Sequence, residues 1–528
     1  MNIPFFLVII FALSFFEAEA QNFRIYPSNV TQTETFIARH PTNPDILFAT
    51  ANTINLNTGF ISEGIYVSTD AGVHWSGSDT CKGSPIGFHK GDPGITIDKN
   101  GTFILIRLGF SPGLYSHFST DFGQSWSYQK RIAANDQDRA TLTSDIFPAS
   151  ANYGRTYTAW VRFSPPYPMM FSYSDDGGLH WSDSVQINAP NQRNQGGELA
   201  MSANGTVNVC WVGVQSSSPF TEDFVGFASS TNGGTNWFKK ENAFDINGIA
   251  GTLSQKSNIR VNGLPRIDID KSGGVRNGWI YIVSAQKNLS PAGSDPDIIL
   301  HRSSDNGISW SEGIRVNQDA VNNAKIQYFP VVHIDFNGGI NVLYYDDRNT
   351  TSDSTGVFLS RSIDGGNSWS DFEITDHNFK PQSIGGLGQG YQGDNIGLTS
   401  SGNMLFPIWM DNSSGIYQLW MTRVDITMLE FSEQRNAQKN KYVLLQNYPN
   451  PFNPATTIRF TMHESRITTL KVYDLLGKEV AILLNNESMQ AGTHEVQFDG
   501  NKLSSGIYFY RLNVDGKFSE AKKLILMK

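Results

Sequence analysis

The chain has 528 residues and a net charge of −9, with 17% charged residues, 12% aromatics and 49 Gly. Few charges and many aromatics exclude a disordered chain, and the acidic balance argues against nucleic acid as a partner. The mixture suits an all-β protein with many turns, long enough for two or three domains.

The N-terminus reads as an export signal. Phe5 to Phe16 is an apolar run too short to cross a bilayer as a helix, and Ala18-Glu19-Ala20 supplies a small-residue cleavage pattern. Residues 1–20 are therefore expected to be removed, leaving Gln21 first, although Met1 to Pro4 lack the usual Lys or Arg. No later segment is apolar enough for a transmembrane helix. The two cysteines, Cys81 and Cys210, do not make a disulfide framework, and the repeat reading places them in separate blades, unpaired.

From residue 21 to about 427 the chain is repetitive. Ser-x-Asp-x-Gly-x-x-Trp occurs with Asp70 and Trp75, Asp121 and Trp126, Asp176 and Trp181, Asp305 and Trp310, and Asp364 and Trp369. A sixth copy has Asn232 and Trp237. The Trp residues lie 51, 55, 56, 73 and 59 positions apart. Asp or Asn folds its side chain onto backbone N–H groups, Gly accepts a positive φ, and Trp packs against a neighbour. These six boxes read as structural hairpin turns rather than catalytic or calcium sites.

Upstream of each box lies a short strand, a polar turn and a longer apolar strand, as in Ile95–Asp98 to Phe103–Ile106 and Leu199–Met201 to Val207–Trp211. A seventh such hairpin, Ile396–Leu398 to Met404–Trp409, has no box after it. Hairpin plus box gives four antiparallel strands, one propeller blade. Seven blades are expected, with Phe23-Arg24-Ile25-Tyr26 supplying the last outer strand; a count of six would leave one hairpin outside the ring.

The stretch 428–441 is polar and reads as a linker, and 442–528 alternates as a small β-sandwich. Leu445-Gln-Asn-Tyr-Pro-Asn-Pro-Phe-Asn-Pro454, Val472-Tyr-Asp-Leu-Leu-Gly477 and Leu503-Ser-Ser-Gly-Ile-Tyr508 follow in order. This segment resembles the type A sorting domain of the type IX secretion system. The resemblance implies the type IX machinery as a partner and a secreted or outer-membrane surface location after periplasmic export.

The boxed region resembles sialidases and, over residues 30–425, a broader group of BNR-repeat secreted propellers, through Ile37-Ala-Arg-His-Pro-Thr-Asn-Pro44 and Gln392-Gly-Asp-Asn-Ile-Gly-Leu398. The sialidase pattern needs three Arg on the substrate carboxylate, a Tyr–Glu pair and an Asp acid/base. Phe23-Arg24-Ile25 resembles the start of its Phe-Arg-Ile-Pro motif, although Tyr26 precedes Pro27, and Glu198 stands where its Glu is due. Thr33 and Glu34 stand where an Arg is due, Trp211-Val-Gly213 ends without another, and the first-blade loop offers only Glu63.

Loops entering the inner strands and loops leaving the second strands should share one face of the ring. The first set carries Asp136, Asp138, Arg139, Glu198, Arg266, Tyr391 and Asp394, and the second Asp346, Asp347, Arg348 and Asp411. Of these, Glu198, Asp394 and Tyr391 are the catalytic candidates, and Arg139, Arg266, Arg348, Asp347 and Asp411 the ligand-binding ones. Carboxylates there could hydrolyse a glycoside or hold Ca²⁺, while no organic cofactor is called for. The expected function is an exported sialidase-like propeller that binds extracellular glycan or protein through this face. The alternatives are a glycoside hydrolase of exo-α-sialidase type or a structural surface-layer component.

Overall fold

The computed structural model describes residues 21–81, 89–429, 442–516 and 518–528. The signal-peptide reading of 1–20 and most of the expected linker lie outside the described residues. Two compact units divide the chain, Met1–Val424 and Asp425–Lys528.

The first unit is a β-propeller of seven antiparallel sheets whose strands follow one another from inner to outer in sequence order, except for the outer strand of blade 7. The innermost strands are Thr31–Arg39, Gly94–Ile97, Gln137–Ser144, Arg193–Met201, Arg266–Ile269, Gln327–Ile334 and Gly397–Ser401, for blades 1 to 7. Each touches the next in cyclic order, and that of blade 7 touches that of blade 1. The ring is closed by the chain's own start. Phe23–Arg24 pairs with Gln418–Met421 as the outer strand of blade 7, with Phe23 opposite Met421. Seven is thus the blade number, and closure removes the open edge that blade 7 would otherwise present.

Neighbouring blades cover both faces of each sheet. Second strands such as Val207–Val214 and Leu47–Asn55 are therefore buried almost throughout, and Val207–Val214 reads in sequence as a near-continuous apolar run. Cys81 lies in the core between blades 1 and 2, and Cys210 in that between blades 4 and 5.

The six boxes share one hydrogen-bond pattern. In the first, Ser68 Oγ donates to Asp70 Oδ1 (2.9 Å) and accepts from the Gly72 N–H (2.9 Å), while Asp70 Oδ1 accepts from the His74 N–H (2.9 Å). The copies at Ser230–Asn232 and Ser303–Asp305 reproduce these bonds, so Asn serves as well as Asp. The box then packs backward. Trp237 of blade 4 meets Phe171 of blade 3 edge-on at 4.9 Å, and Trp310 of blade 5 meets Phe227 of blade 4 at 5.3 Å. Gly234 (φ +93°) and Gly307 (φ +84°) lie so close to those same rings that a Cβ would come within 2.2 and 2.1 Å of them.

The second unit is a sandwich of two antiparallel sheets. Tyr442–Leu444, Ala455–Met462 and Gly492–Asp499 form one, and Glu479–Met489, Arg466–Tyr473, Gly506–Val514 and Phe518–Leu526 the other. Alternation places Ile458, Phe460, Leu470, Val472, Leu512 and Leu524 in the core between them.

Ring closure has a titratable component. His377 gives Nε2 to Asp411 (2.8 Å) and Nδ1 to Asp376 (2.6 Å), and Asp376 exchanges hydrogen bonds with Asn22, just before the closing strand. The bond from Asp411 is the chief cause that raises His377 from 6.5 to about 9. A folded-state value above the ordinary one means the stabilisation is complete below about pH 6.5 and is lost as pH rises through about 9. Thermal unfolding followed from pH 6 to 10 is expected to show this loss, and His377→Gln to abolish it.

Candidate functional site

Four inner strands carry a register irregularity near their entrance, at Thr33/Phe36, Asp138/Thr141, Gln195/Glu198 and Tyr328/Val331. A bulge bends a strand and re-aims one side chain. Here each coincides with a residue of positive φ: Glu34 (54°), Arg139 (33°), Gly196 (63°) and Phe329 (50°). Asp92 (54°) precedes the inner strand of blade 2 in the same conformation. For non-glycine residues the left-handed region costs about 1–2 kcal/mol each. The strain delivers Glu34, Asp92 and Arg139 to one central funnel, a cavity of about 450 Å³ that they line with Asp138, Asp394 and Tyr391.

The groups around Arg139 are cationic and paired. Glu198 Oε2 lies 3.6 Å from Arg139 and 3.8 Å from Arg266. Asn395 Oδ1 accepts from Arg139 Nη2 (2.6 Å) and from Arg266, which also donates to the Asp394 carbonyl (3.0 Å). Burial pushes Glu198 up against the pull of both guanidiniums, and burial together with Arg139 brings Arg266 down to about 10. Arg139 is only 7% exposed, yet its Nε and Nη1 have no hydrogen-bond partner among the described residues.

The walls mix acids with cations held on aromatic rings. Burial, then Asp394 and Asp92, raise the Glu34 carboxyl well above the carboxylate range, and burial with Asp138 and Asp394 raises Asp92 to about 7. Asn52 ties the two, donating to Glu34 Oε2 and accepting from the Asp92 N–H (3.0 Å). The Arg193 guanidinium lies 4.8–5.0 Å from the rings of Phe163, Tyr167 and Phe220, and Arg260 lies 4.7 Å from that of Tyr391. Among the described residues neither guanidinium forms an ion pair. No group of three His, Cys, Asp or Glu among the described residues could hold a metal ion.

Two excursions meet beside the funnel. The hairpin Gly251–Leu253 and Ile259–Val261, between blades 4 and 5, is gripped at its base by Glu222, which accepts the N–H groups of Gly263 (2.9 Å) and Ala250 (3.1 Å). The Arg260 N–H bonds the Gly390 carbonyl (2.8 Å) in the loop that enters blade 7, and Asn262 Nδ2 donates to Asp394 (2.6 Å).

The structure separates the candidates read from sequence. Asp138, Arg139, Tyr391 and Asp394 line the funnel, and Glu198 and Arg266 lie behind that lining, against Arg139 and Asn395. Burial and Asp394 raise the Tyr391 hydroxyl, so its phenolate is disfavoured, and its polar neighbours are Asp394 and Asn262. The three candidates from the second strands do not line the funnel. Arg348 spends its charge on Asp346 (2.6 Å), Asp371 and Asp319 (3.7 Å) within its own neighbourhood. Asp411 is fully buried against His377. Asp347 accepts from Lys256 Nζ (2.8 Å), the hairpin's lysine, whose other bonds go to the carbonyls of Ser352 and Ser354. Glu63, expected in a first-blade loop, instead lies within the strand Phe60–Ser68, buried against His89. Asp136 is exposed outside the cavity.

Sequence reasoning passed over Asn52, Asp92, Arg193, Arg260, Asn262 and Asn395, and took Glu34 only as a missing arginine. The available signals were the Gly91-Asp92-Pro93-Gly94 turn before an inner strand and the place of Glu34 in its own. Lys256 and Asp347 are both fully buried, and removing one partner of such a pair costs about 3–5 kcal/mol. Lys256→Met is therefore expected to lower the unfolding midpoint and to speed amide exchange across 251–261 before other segments.

Residues 446–527 match the family described as the secretion system C-terminal sorting domain. No curated protein matches the chain. Among solved structures it is similar to a PL25 polysaccharide lyase, an ulvan lyase bound to -[GlcA(1-4)Rha3S]-, at 11% identity over 78% of this chain and 99% of that one, TM-score 0.47. It is similar to the leech intramolecular trans-sialidase with 2,7-anhydro-Neu5Ac (11%, 68% and 71%, TM-score 0.42). It is also similar to a Penicillium chrysogenum α-L-arabinanase with arabinobiose (14%, 67% and 98%, TM-score 0.39). Likenesses this distant carry no argument about the chemistry of the funnel. The chain is an exported protein that joins a seven-bladed β-propeller to a secretion system C-terminal sorting domain.

Proposed function

We propose that the propeller takes a segment of an extracellular glycan into the funnel, after export through the type IX machinery by way of the C-terminal domain. The observation that carries this reading is Arg139, which lines a cavity of about 450 Å³ and whose buried Nε and Nη1 have no hydrogen-bond partner among the described residues. A buried donor without a partner costs about 1–3 kcal/mol, more when charged, and a ligand acceptor removes that cost. The cavity volume is that of a small-molecule site. Its lining offers what a sugar's hydroxyls and ring faces need: carboxylates, the amides of Asn52 and Asn262, and the rings of Phe163 and Tyr391.

A second reading, hydrolysis of the bound glycan, is favoured by the Asp92 carboxyl, raised to about 7, beside that of Glu34, raised well above the carboxylate range. Binding is tested by calorimetric titration of the mature protein with arabinan, xylan, ulvan, chondroitin sulfate and sialyllactose. Arg139→Gln is expected to weaken the bound glycan at least about tenfold, or about 1.4 kcal/mol. Arg348→Gln, whose charge is consumed within the blade, is expected to lower stability and leave the affinity unchanged. Equal affinities for wild type and Arg139→Gln would refute the funnel as the binding site.

A further inference from the structure

Glu34 and Asp92 line the funnel from two blades, each at a left-handed residue, and a single amide, Asn52, bonds the Glu34 carboxylate and the Asp92 backbone. Asn52 Nδ2 donates to the Glu34 carboxylate while its oxygen accepts the Asp92 backbone N–H (3.0 Å), so the two acids are fixed as a unit. The two side chains are close enough to hydrogen-bond each other, and the Asp92 carboxylate also accepts the backbone N–H of Arg139. An independent feature marks the same spot as a ligand position: the buried Arg139, with Nε and Nη1 unbonded, lines the cavity beside them.

Two neighbouring carboxyl groups in a half-dry funnel repel each other when both are ionised, so the pair holds a proton more tightly than an isolated carboxyl would. We propose that Glu34 and Asp92 share that proton and act together as the general acid of glycoside hydrolysis in the funnel, an assignment that rests on the funnel being the glycan site. The shared proton passes to the glycosidic oxygen as the bond from that oxygen to the anomeric carbon breaks, and the departing sugar leaves as an alcohol. Water supplies the new bond: its oxygen joins the anomeric carbon and its proton goes to Asp394, which Asn262 holds at 2.6 Å. Asp394 then returns a proton to solvent and the pair takes one up, so one water is consumed and no other reactant is needed.

This role differs from a purely structural one in its pH behaviour. The charged and titratable groups that line the cavity with the pair are Lys90, Asp138, Arg139 and Asp394, together with Arg193, Glu222, Arg260 and Tyr391. A general acid must be protonated, so kcat is expected to fall as pH rises through about 7, the value to which Asp92 is pushed. In Asp92→Asn the mutual repulsion is gone, the remaining Glu34 loses its proton more readily, and that limb moves to lower pH.

The experiment measures reducing-end release by the mature protein from the same five glycans, alongside their binding by calorimetry. The expected result is turnover of a bound glycan, reduced at least about 100-fold in kcat by both Glu34→Gln and Asp92→Asn, with affinity kept within about twofold. Retained affinity shows that the variants are folded. A wild type that binds a glycan but cleaves none of the five overturns the assignment and leaves the binding reading standing. So does unchanged kcat and pH profile in both variants. A wild type that binds none of the five overturns both readings.

Discussion

The contact on which the rest depends is the backward packing of each Asp box onto the blade before it. At Gly234 against Phe171 and Gly307 against Phe227 the box glycine can occupy its place only because it has no side chain. Six repetitions of that contact set the same offset between successive sheets, and the offset turns the chain through a ring. The first box applies the rule across the junction of the chain's two ends: Gly72 lies against Met421 of blade 7, the residue opposite Phe23. Blade 7 has no box after it, and the N-terminal strand supplies what the repeat lacks. Once the ring is closed, the entrances of the inner strands have nowhere to go but the axis.

The funnel is distinguished from the rest of the molecule by how its charges are settled. Elsewhere a buried cation meets its acids at close range, as Arg348 does with Asp346 and Asp371, or Lys256 with Asp347. In the funnel Arg139 and Arg266 share one Glu198 at 3.6–3.8 Å, while Arg193 and Arg260 rest on aromatic faces. The acids Glu34, Asp92 and Asp138 are all raised by burial. Unsatisfied donors and protonatable acceptors side by side are costly to fold and useful to a ligand. The same economy appears in the backbone, where Glu34, Asp92 and Arg139 sit at positive φ.

The architecture was legible because its determinants are local. A Ser, an Asp, a Gly and a Trp at fixed spacing suffice for a box, and a continuous apolar run suffices for a strand covered on both sides. The C-terminal sandwich was legible for the same reason, from alternation and three short motifs. The site was legible only in part. Its loops were identified, since propeller geometry says which strand ends share a face, and Arg139, Asp138 and Asp394 followed. What sequence could not give is which charges are already spent. Arg348 and Asp347 look as available as Arg139 in one dimension, and only the fold reveals that Asp371 and Lys256 have taken them. Nor could it show bulges, which depend on the pairing of two strands and bring Glu34 to the axis.

The measurement that bears most directly on the funnel as the site is hydrogen exchange across the whole chain, with and without a saturating bound oligosaccharide. The account predicts new protection at residues 33–35, 91–93, 137–140 and 388–395, the segments that meet at the axis, with the outer strands and the C-terminal domain unchanged. Protection confined to the outer strands of the blades or to the C-terminal domain would contradict it.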